Sequence, residues 1–113
     1  MSANRRRGEI AAELDGKEFR LCLTLGALAE LEAAFAAEDI GRLVERFSSG
    51  KLSALDMIRI IGAGLRGAGE AVSDEDVGKM AATGGAAGYA AIVSDLLITT
   101  FGGAAGETTP SRP

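Results

Sequence analysis

The chain has 113 residues and a formal net charge of −4; hydrophobic residues make up 47% of it, aromatic residues 4%, and there is no His. That length predicts one domain, burying roughly 65% of the surface its unfolded form exposes. The lack of His removes the commonest general base and metal ligand, and the single Cys excludes an internal disulfide and fits a reducing compartment.

Residues 1–7 are polar and unpatterned and are expected to be disordered. They include Arg5, Arg6 and Arg7, so the rest of the chain is more acidic than the total suggests, which argues against nucleic acid as a partner. No apolar segment follows the arginines, so no secretory signal is expected. From Gly8 to Leu14 the apolar residues Ile10, Ala12 and Leu14 alternate with Glu9, Ala11 and Glu13. Asp15-Gly16 follows, a strong signal for a two-residue hairpin turn. Closing the hairpin there pairs Ala12 with Phe19 and Ile10 with Leu21, which puts the apolar residues of both strands on one face. It also sets Glu13 against Glu18, a mild repulsion within reach of Lys17 or Arg20.

At Leu23 the hydrophobic period changes from two to about 3.6, where a strand hands over to a helix. Thr24 offers a side-chain oxygen to cap the first turn. A first helix is expected over 24–37, with Leu28, Leu31 and Phe35 as its apolar stripe, and is taken as the element the others pack on. Cys22 lies opposite in parity to Leu21 and Leu23 and is expected to face away from the main core as a half-buried filler. It has no His to pair with and no second Cys to resolve it.

Asp39 caps a second helix over 39–48, with Ile40, Leu43, Val44 and Phe47 inward and Arg42, Glu45 and Arg46 on its wet side. A third helix over 53–66 opens with Ser53 and Asp56 as a capping box, and Leu52 and Met57 stand where a hydrophobic staple would. Met57, Ile60, Ile61 and Leu65 form its stripe, with Leu55 and Ile58 widening it, so this helix is expected to be the most enclosed. Ser73 and Asp76 repeat the capping device for a short fourth helix over 73–82, broken at Thr83-Gly84-Gly85. A last helix over 86–101 presents Tyr89, Ile92, Val93, Leu96, Leu97 and Phe101. Residues 102–113, rich in Gly, Thr and Pro, are expected to be a disordered tail. The uncharged run from Met80 to Ser94 is too short to span a bilayer. The whole is an α+β domain over 8–101, an N-terminal β-hairpin at 8–24 followed by a small bundle of four to five helices. Its 16 Gly and few aromatics predict a marginal monomer and therefore a homo-oligomer.

Three stretches invite a chemical reading, and each has a plainer one. Gly62-Ala63-Gly64-Leu65-Arg66-Gly67 spells a dinucleotide fingerprint, yet that motif needs a strand before it and a helix opening at the glycines. Here a capped helix precedes it, so the small residues are read as points of close helix packing. Asp74-Glu75-Asp76 lacks the alternating spacing, central Gly and closing Glu of a calcium loop. Three acids in a first turn are explained by the helix dipole. Ser94-Asp95-Leu96 reverses the Asp-Ser-Leu attachment site of carrier proteins and lies mid-helix. The residues show no catalytic, cofactor or metal site.

Taken together, Arg7-Gly8-Glu9, the hairpin ending at Asp15-Gly16 and the run from Leu23 to Glu32 resemble a small protein family of gene transfer agents, phage-like particles of alphaproteobacteria, and of related siphophage-type prophages. Leu43 to Phe47, Ile60 to Gly69 and Ser73 to Val77 fit the same pattern in the same order. The family is grouped with phage tail assembly chaperones and has also carried the label of tail tube protein. The resemblance implies a non-enzymatic factor of the bacterial cytoplasm that needs no cofactor. Such a factor coats the helical tape measure protein until tube subunits polymerise around it, with those subunits as further partners. Neither nucleic acid nor membrane is implied. The alternative is a tail tube or other virion subunit, a class dominated by β-sandwich strands. For gripping the tape measure, the last helix is the expected element, with Tyr89, Leu97 and Phe101 as candidate protein-binding residues.

Overall fold

Asp15 and Gly16 both take positive φ, 56° and 76°, the geometry a two-residue hairpin turn requires and the reason Asp-Gly is favoured there. In the computed structural model, which describes residues 4–35, 45–47, 49–50 and 52–101, this turn joins β1 (Glu9–Leu14) to β2 (Lys17–Cys22). The pairing is antiparallel, with Ile10 opposite Leu21, Ala12 opposite Phe19 and Glu13 opposite Glu18. This is the register expected from the apolar pattern. Ile10, Ala12, Leu14 and Leu21 are buried as a result. Arg20 does not relieve the Glu13–Glu18 pair; its guanidinium lies 3.9 Å from Glu9.

The basic start is folded from Asn4 onward, although it carries no hydrophobic pattern. Arg5–Arg7 form a 3-10 turn, and the Asn4 carbonyl accepts from the N–H groups of Arg7 and Glu9, both at 3.0 Å. Local backbone bonding orders this segment, and such bonding leaves no trace in hydropathy.

Helix α1 spans Leu25–Phe35. The Thr24 hydroxyl accepts from the Ala27 N–H at 3.1 Å, the expected cap. The inward face, however, is set by Ala27 and Leu31, which are buried. Leu28 is only half-buried, so the helix is rotated relative to the stripe read from the sequence, and Leu25 is 84% exposed. Of the second expected helix, residues 45–47 are described and helical; Ile40, Leu43 and Val44 lie outside the described residues.

Helix α2 (Ala54–Gly67) has its complete capping box: Ser53 Oγ accepts from Asp56 N–H at 3.1 Å, and the Asp56 carboxylate accepts from Ser53 N–H at 2.9 Å. The same carboxylate takes a 2.7 Å bond from Arg46, which provides for a charge that is otherwise buried. Ile60, Ile61, Ala63 and Leu65 are fully buried, and α2 packs on β2, α1, α3 (Asp74–Gly78) and α4 (Gly85–Thr100). This helix, rather than α1, is the hub of the fold. The glycines make that possible. A Cβ at Gly67 would collide with the Cys22 carbonyl, and one at Gly64 would stand 2.8 Å from Leu96 Cδ2 and 3.2 Å from Leu21 Cβ. The small residues thus let α2 close on β2 as well as on a helix. Leu55, expected to widen the apolar stripe, is instead 53% exposed.

Helix α3 also keeps its capping box, through Ser73 and Asp76, but it ends at Gly78, short of the expected 82. The chain there is drawn to the hairpin instead. Ala82 bridges Leu14, and Asp15 exchanges hydrogen bonds with Ala81. Helix α4 starts after Gly84, which takes positive φ and supplies no side-chain cap, and it buries Val93, Leu96 and Leu97. The residues buried on β1, β2 and the four helices form one hydrophobic cluster. This is an α+β arrangement, hairpin first and helices after.

Candidate protein-docking surface

On α2, Ala54, Met57, Ile58 and Ile61 follow one another at i, i+3, i+4 and i+7, one face of the helix. They wall a cavity of about 210 Å³ whose other sides are Val77 and Gly78 of α3 and Tyr89 of α4. The Tyr89 hydroxyl donates to the Met80 carbonyl, which fixes the ring against the cavity while its polar end is satisfied. Met57 also lines a second cavity, of about 190 Å³, with Phe47, Gly50, Leu52, Ala90 and Val93. The two hollows therefore lie on either side of one flexible, adaptable side chain. Expected to be a core residue, Met57 is half-buried and sits at the surface of the groove.

Of the candidate binding residues, Leu97 and Phe101 stand one turn apart at the end of α4, and Tyr89 lies about two turns earlier on the same helix. Tyr89 lines the first cavity. Leu97 is 2% exposed and belongs to the core, packed rather than presented. Phe101 is the half-buried C-cap of α4, its N–H donating to the Leu97 carbonyl. The exposed aliphatic residue at that end of α4 is Ile98. Sequence reading missed the groove because Met57 and Ile58 fit a core stripe equally well. The signal that could have found it is the apolar face 54/57/58/61 lying close to the run of small residues in α2.

Electrostatics shape the flanks. Arg66 donates to Glu30 through Nη2 at 2.6 Å and Nε at 3.1 Å, and through Nη1 to Asp74 and to the Val72 carbonyl, both at 3.1 Å. The Glu30 carboxylate raises its pKa further, against the opposing cost of partial burial, with Asp74 adding to the rise. One guanidinium thereby ties α1, α2 and the entry to α3. Ser73 holds the Asp76 carboxyl below its ordinary value, first through its backbone N–H and then through its hydroxyl. Cys22 is half-buried and its thiol donates to the Arg7 carbonyl at 3.7 Å. Burial pushes its pKa up, with Glu9 adding to the rise and Arg7 opposing it, which disfavours the thiolate a nucleophile needs.

The glycine fingerprint lies inside α2, with Gly62 to Leu65 buried and its backbone committed to the helix, so it offers no phosphate cradle. Among the described residues, no group of three or more His, Cys, Asp or Glu is placed to hold a metal ion. No helix among them is long and apolar enough to cross a membrane.

Comparison with known proteins agrees with the family suggested by the sequence. The model of the family described as "Phage tail tube protein, GTA-gp10" matches residues 7–103, which takes in the hairpin and all four named helices. Neither a curated protein nor a solved structure matches. The chain belongs to this gene transfer agent and phage tail protein family.

Proposed function

We propose that this tail protein is a non-enzymatic assembly chaperone, acting in the bacterial cytoplasm, that holds the tape measure protein until tube subunits close around it. The observation that carries this reading is the sheet. Among the described residues it has two strands, β1 and β2, in an otherwise helical chain. Tube subunits build their rings from β-sandwiches, and a lone two-stranded ribbon does not supply one. An apolar groove between helices, by contrast, is suited to covering the apolar stripe of a long helical client.

The reading as a tail tube subunit is favoured by one observation, the printed description of the family. Co-expression of the tagged chain with the tape measure protein and with the tube subunit, each separately, tests the two. The chaperone reading expects the tape measure to be recovered with the tag and to remain soluble only in its presence. Failure to retain it, together with self-assembly of the chain into rings or tubes, would support the structural role.

A further inference from the structure

We propose that the outer edge of β2 is a self-association surface, on which a second copy of this chain pairs its own β2 antiparallel about a two-fold axis at Phe19. The two-stranded sheets of both copies then run on as one. This holds for a chaperone and for a virion subunit alike and rests on neither reading. It starts from the turn. In a two-residue hairpin the residues flanking the turn exchange hydrogen bonds, and such pairs alternate along the ladder. With Leu14 opposite Lys17, the exchanging pairs are Leu14–Lys17, Ala12–Phe19 and Ile10–Leu21. The N–H and C=O groups of Glu18 and Arg20 therefore point out of the hairpin, away from β1.

The two edges of the ribbon differ. That of β1 is in use at both ends: the Asn4 carbonyl accepts from the Glu9 N–H, and Ala81 and Ala82 close on Asp15 and Leu14. On β2, Lys17, Glu18 and Arg20 are exposed. Among the described residues, no backbone group outside the hairpin bonds to the backbone of Glu18 or Arg20. An edge of this kind is a template for another strand. Pairing has to stop before Cys22, whose carbonyl lies against Gly67.

Charge fixes the occupant and the register. A two-fold axis at Glu18 would set that carboxylate against its own copy. An axis at Arg20 would oppose two guanidiniums and run the ladder into Cys22. With the axis at Phe19, each Glu18 stands opposite an Arg20, and both pairs exchange backbone hydrogen bonds. The Arg20 ion pair to Glu9 is loose, at 3.9 Å, and a guanidinium has donors to spare. The two Phe19 rings, half-buried and packed on the core, meet at a non-hydrogen-bonded position, where opposing side chains approach most closely. Charges that ordinarily guard an edge against pairing are here self-complementary.

Sedimentation equilibrium of the full chain tests this, beside the variants Glu18→Arg and Arg20→Glu. Both positions are exposed, and Glu18 already faces Glu13 within the hairpin, so melting temperatures in dilute solution should stay close to the native value. Each variant alone sets like charges across the axis and should raise the dimer dissociation constant at least about tenfold. Mixed in equal amounts, the two variants should recover the dimer, and added salt should weaken that recovery. In the native chain, the amides of Glu18 and Arg20 should gain hydrogen-exchange protection as concentration rises, whereas those of Phe19 and Leu21, bonded to β1, are protected throughout. A native chain that stays monomeric at every concentration overturns the proposal. So does a dimer that either variant leaves intact, or a mixture of the variants that stays monomeric. Should a single variant fail to fold, the double variant Glu18→Arg/Arg20→Glu restores both pairs and has to dimerise as the native chain does. The exchange measurement needs no variant: a dimer in which the Glu18 and Arg20 amides stay unprotected places the contact elsewhere. Protection that arises only on adding the tape measure protein would give the edge to a foreign strand, and it too would overturn the proposal.

Discussion

Asp15 and Ala81 exchange two hydrogen bonds: the Asp15 N–H donates to the Ala81 carbonyl at 2.8 Å, and the Ala81 N–H donates to the Asp15 carboxylate at 2.8 Å. One residue thus makes the hairpin turn and clasps it to the segment between α3 and α4. The two demands can be separated by substitution. Asn tolerates positive φ and keeps an acceptor, so Asp15→Asn should be close to neutral. Asp15→Gly keeps the turn and loses the side-chain bond, a change of about 1 kcal/mol. Asp15→Ala loses the bond and adds the strain of a left-handed residue, a further 1–2 kcal/mol or so. Urea melts should rank the three in that order; an Ala variant as stable as Asn would show that the clasp contributes nothing.

The inward face of α1 gives a second expectation. Leu31 is 1% exposed, so Leu31→Ala should cost about 2–5 kcal/mol. Leu28, half-buried at the edge of the same helix, should cost clearly less when truncated. Denaturant midpoints for the pair check the rotation of the helix, and a larger loss at Leu28 would place the buried stripe where the sequence alone suggested it.

Close approach around α2 yields a third. Replacing Gly by Ala in a helix normally stabilises by about 1 kcal/mol through propensity. At Gly67 the new methyl would meet the backbone carbonyl of Cys22, which cannot step aside, whereas at Gly64 it meets the flexible end of Leu96 and the side chain of Leu21. Gly67→Ala should therefore destabilise by at least about 1–3 kcal/mol, and by more than Gly64→Ala. Thermal melts of the two variants measure this, and a stabilised Gly67→Ala would mean that the helix and strand stand farther apart.

How much of this was legible in the sequence depended on whether the signal was local. The hairpin register was readable because a two-residue turn and a period of two leave one solution that puts Ile10 and Leu21 on the same side. The starts of α2 and α3 were readable because Ser53/Asp56 and Ser73/Asp76 bond within three residues. What escaped was set by packing between distant segments. The Asp15–Ala81 clasp joins residues 66 apart, and it shortens α3 by recruiting residues that helical spacing assigned to that helix. Leu97 and Ile98 are neighbours in an apolar run, and only the placement of α4 decides that the first is buried and the second exposed. Tyr89, a candidate binding residue by sequence, lines one cavity with Met57 and Ile58, whose spacing reads as a core stripe because a groove and a core ask for the same residues.

Asp76 supplies a pH test. Its folded pKa is lowered by the Ser73 N–H and then by the Ser73 hydroxyl. A depressed carboxylate contributes stability that is present above its unfolded value and lost as pH falls through the folded one. The α3 cap should therefore weaken only on the acid side of the ordinary carboxylate range. A side-chain NMR titration should place the Asp76 midpoint below that range. In Ser73→Ala it should move up only part of the way, since the backbone donor remains. A midpoint at the ordinary value in the native chain would contradict the capping geometry.

The central claim, an assembly factor rather than a part of the particle, is tested most directly by quantitative mass spectrometry of purified particles against the lysate of producing cells. The chaperone account predicts the chain in the lysate together with the tape measure protein, and its absence from finished particles. Recovery of the chain from purified tails in amounts matching the tube subunits would contradict it.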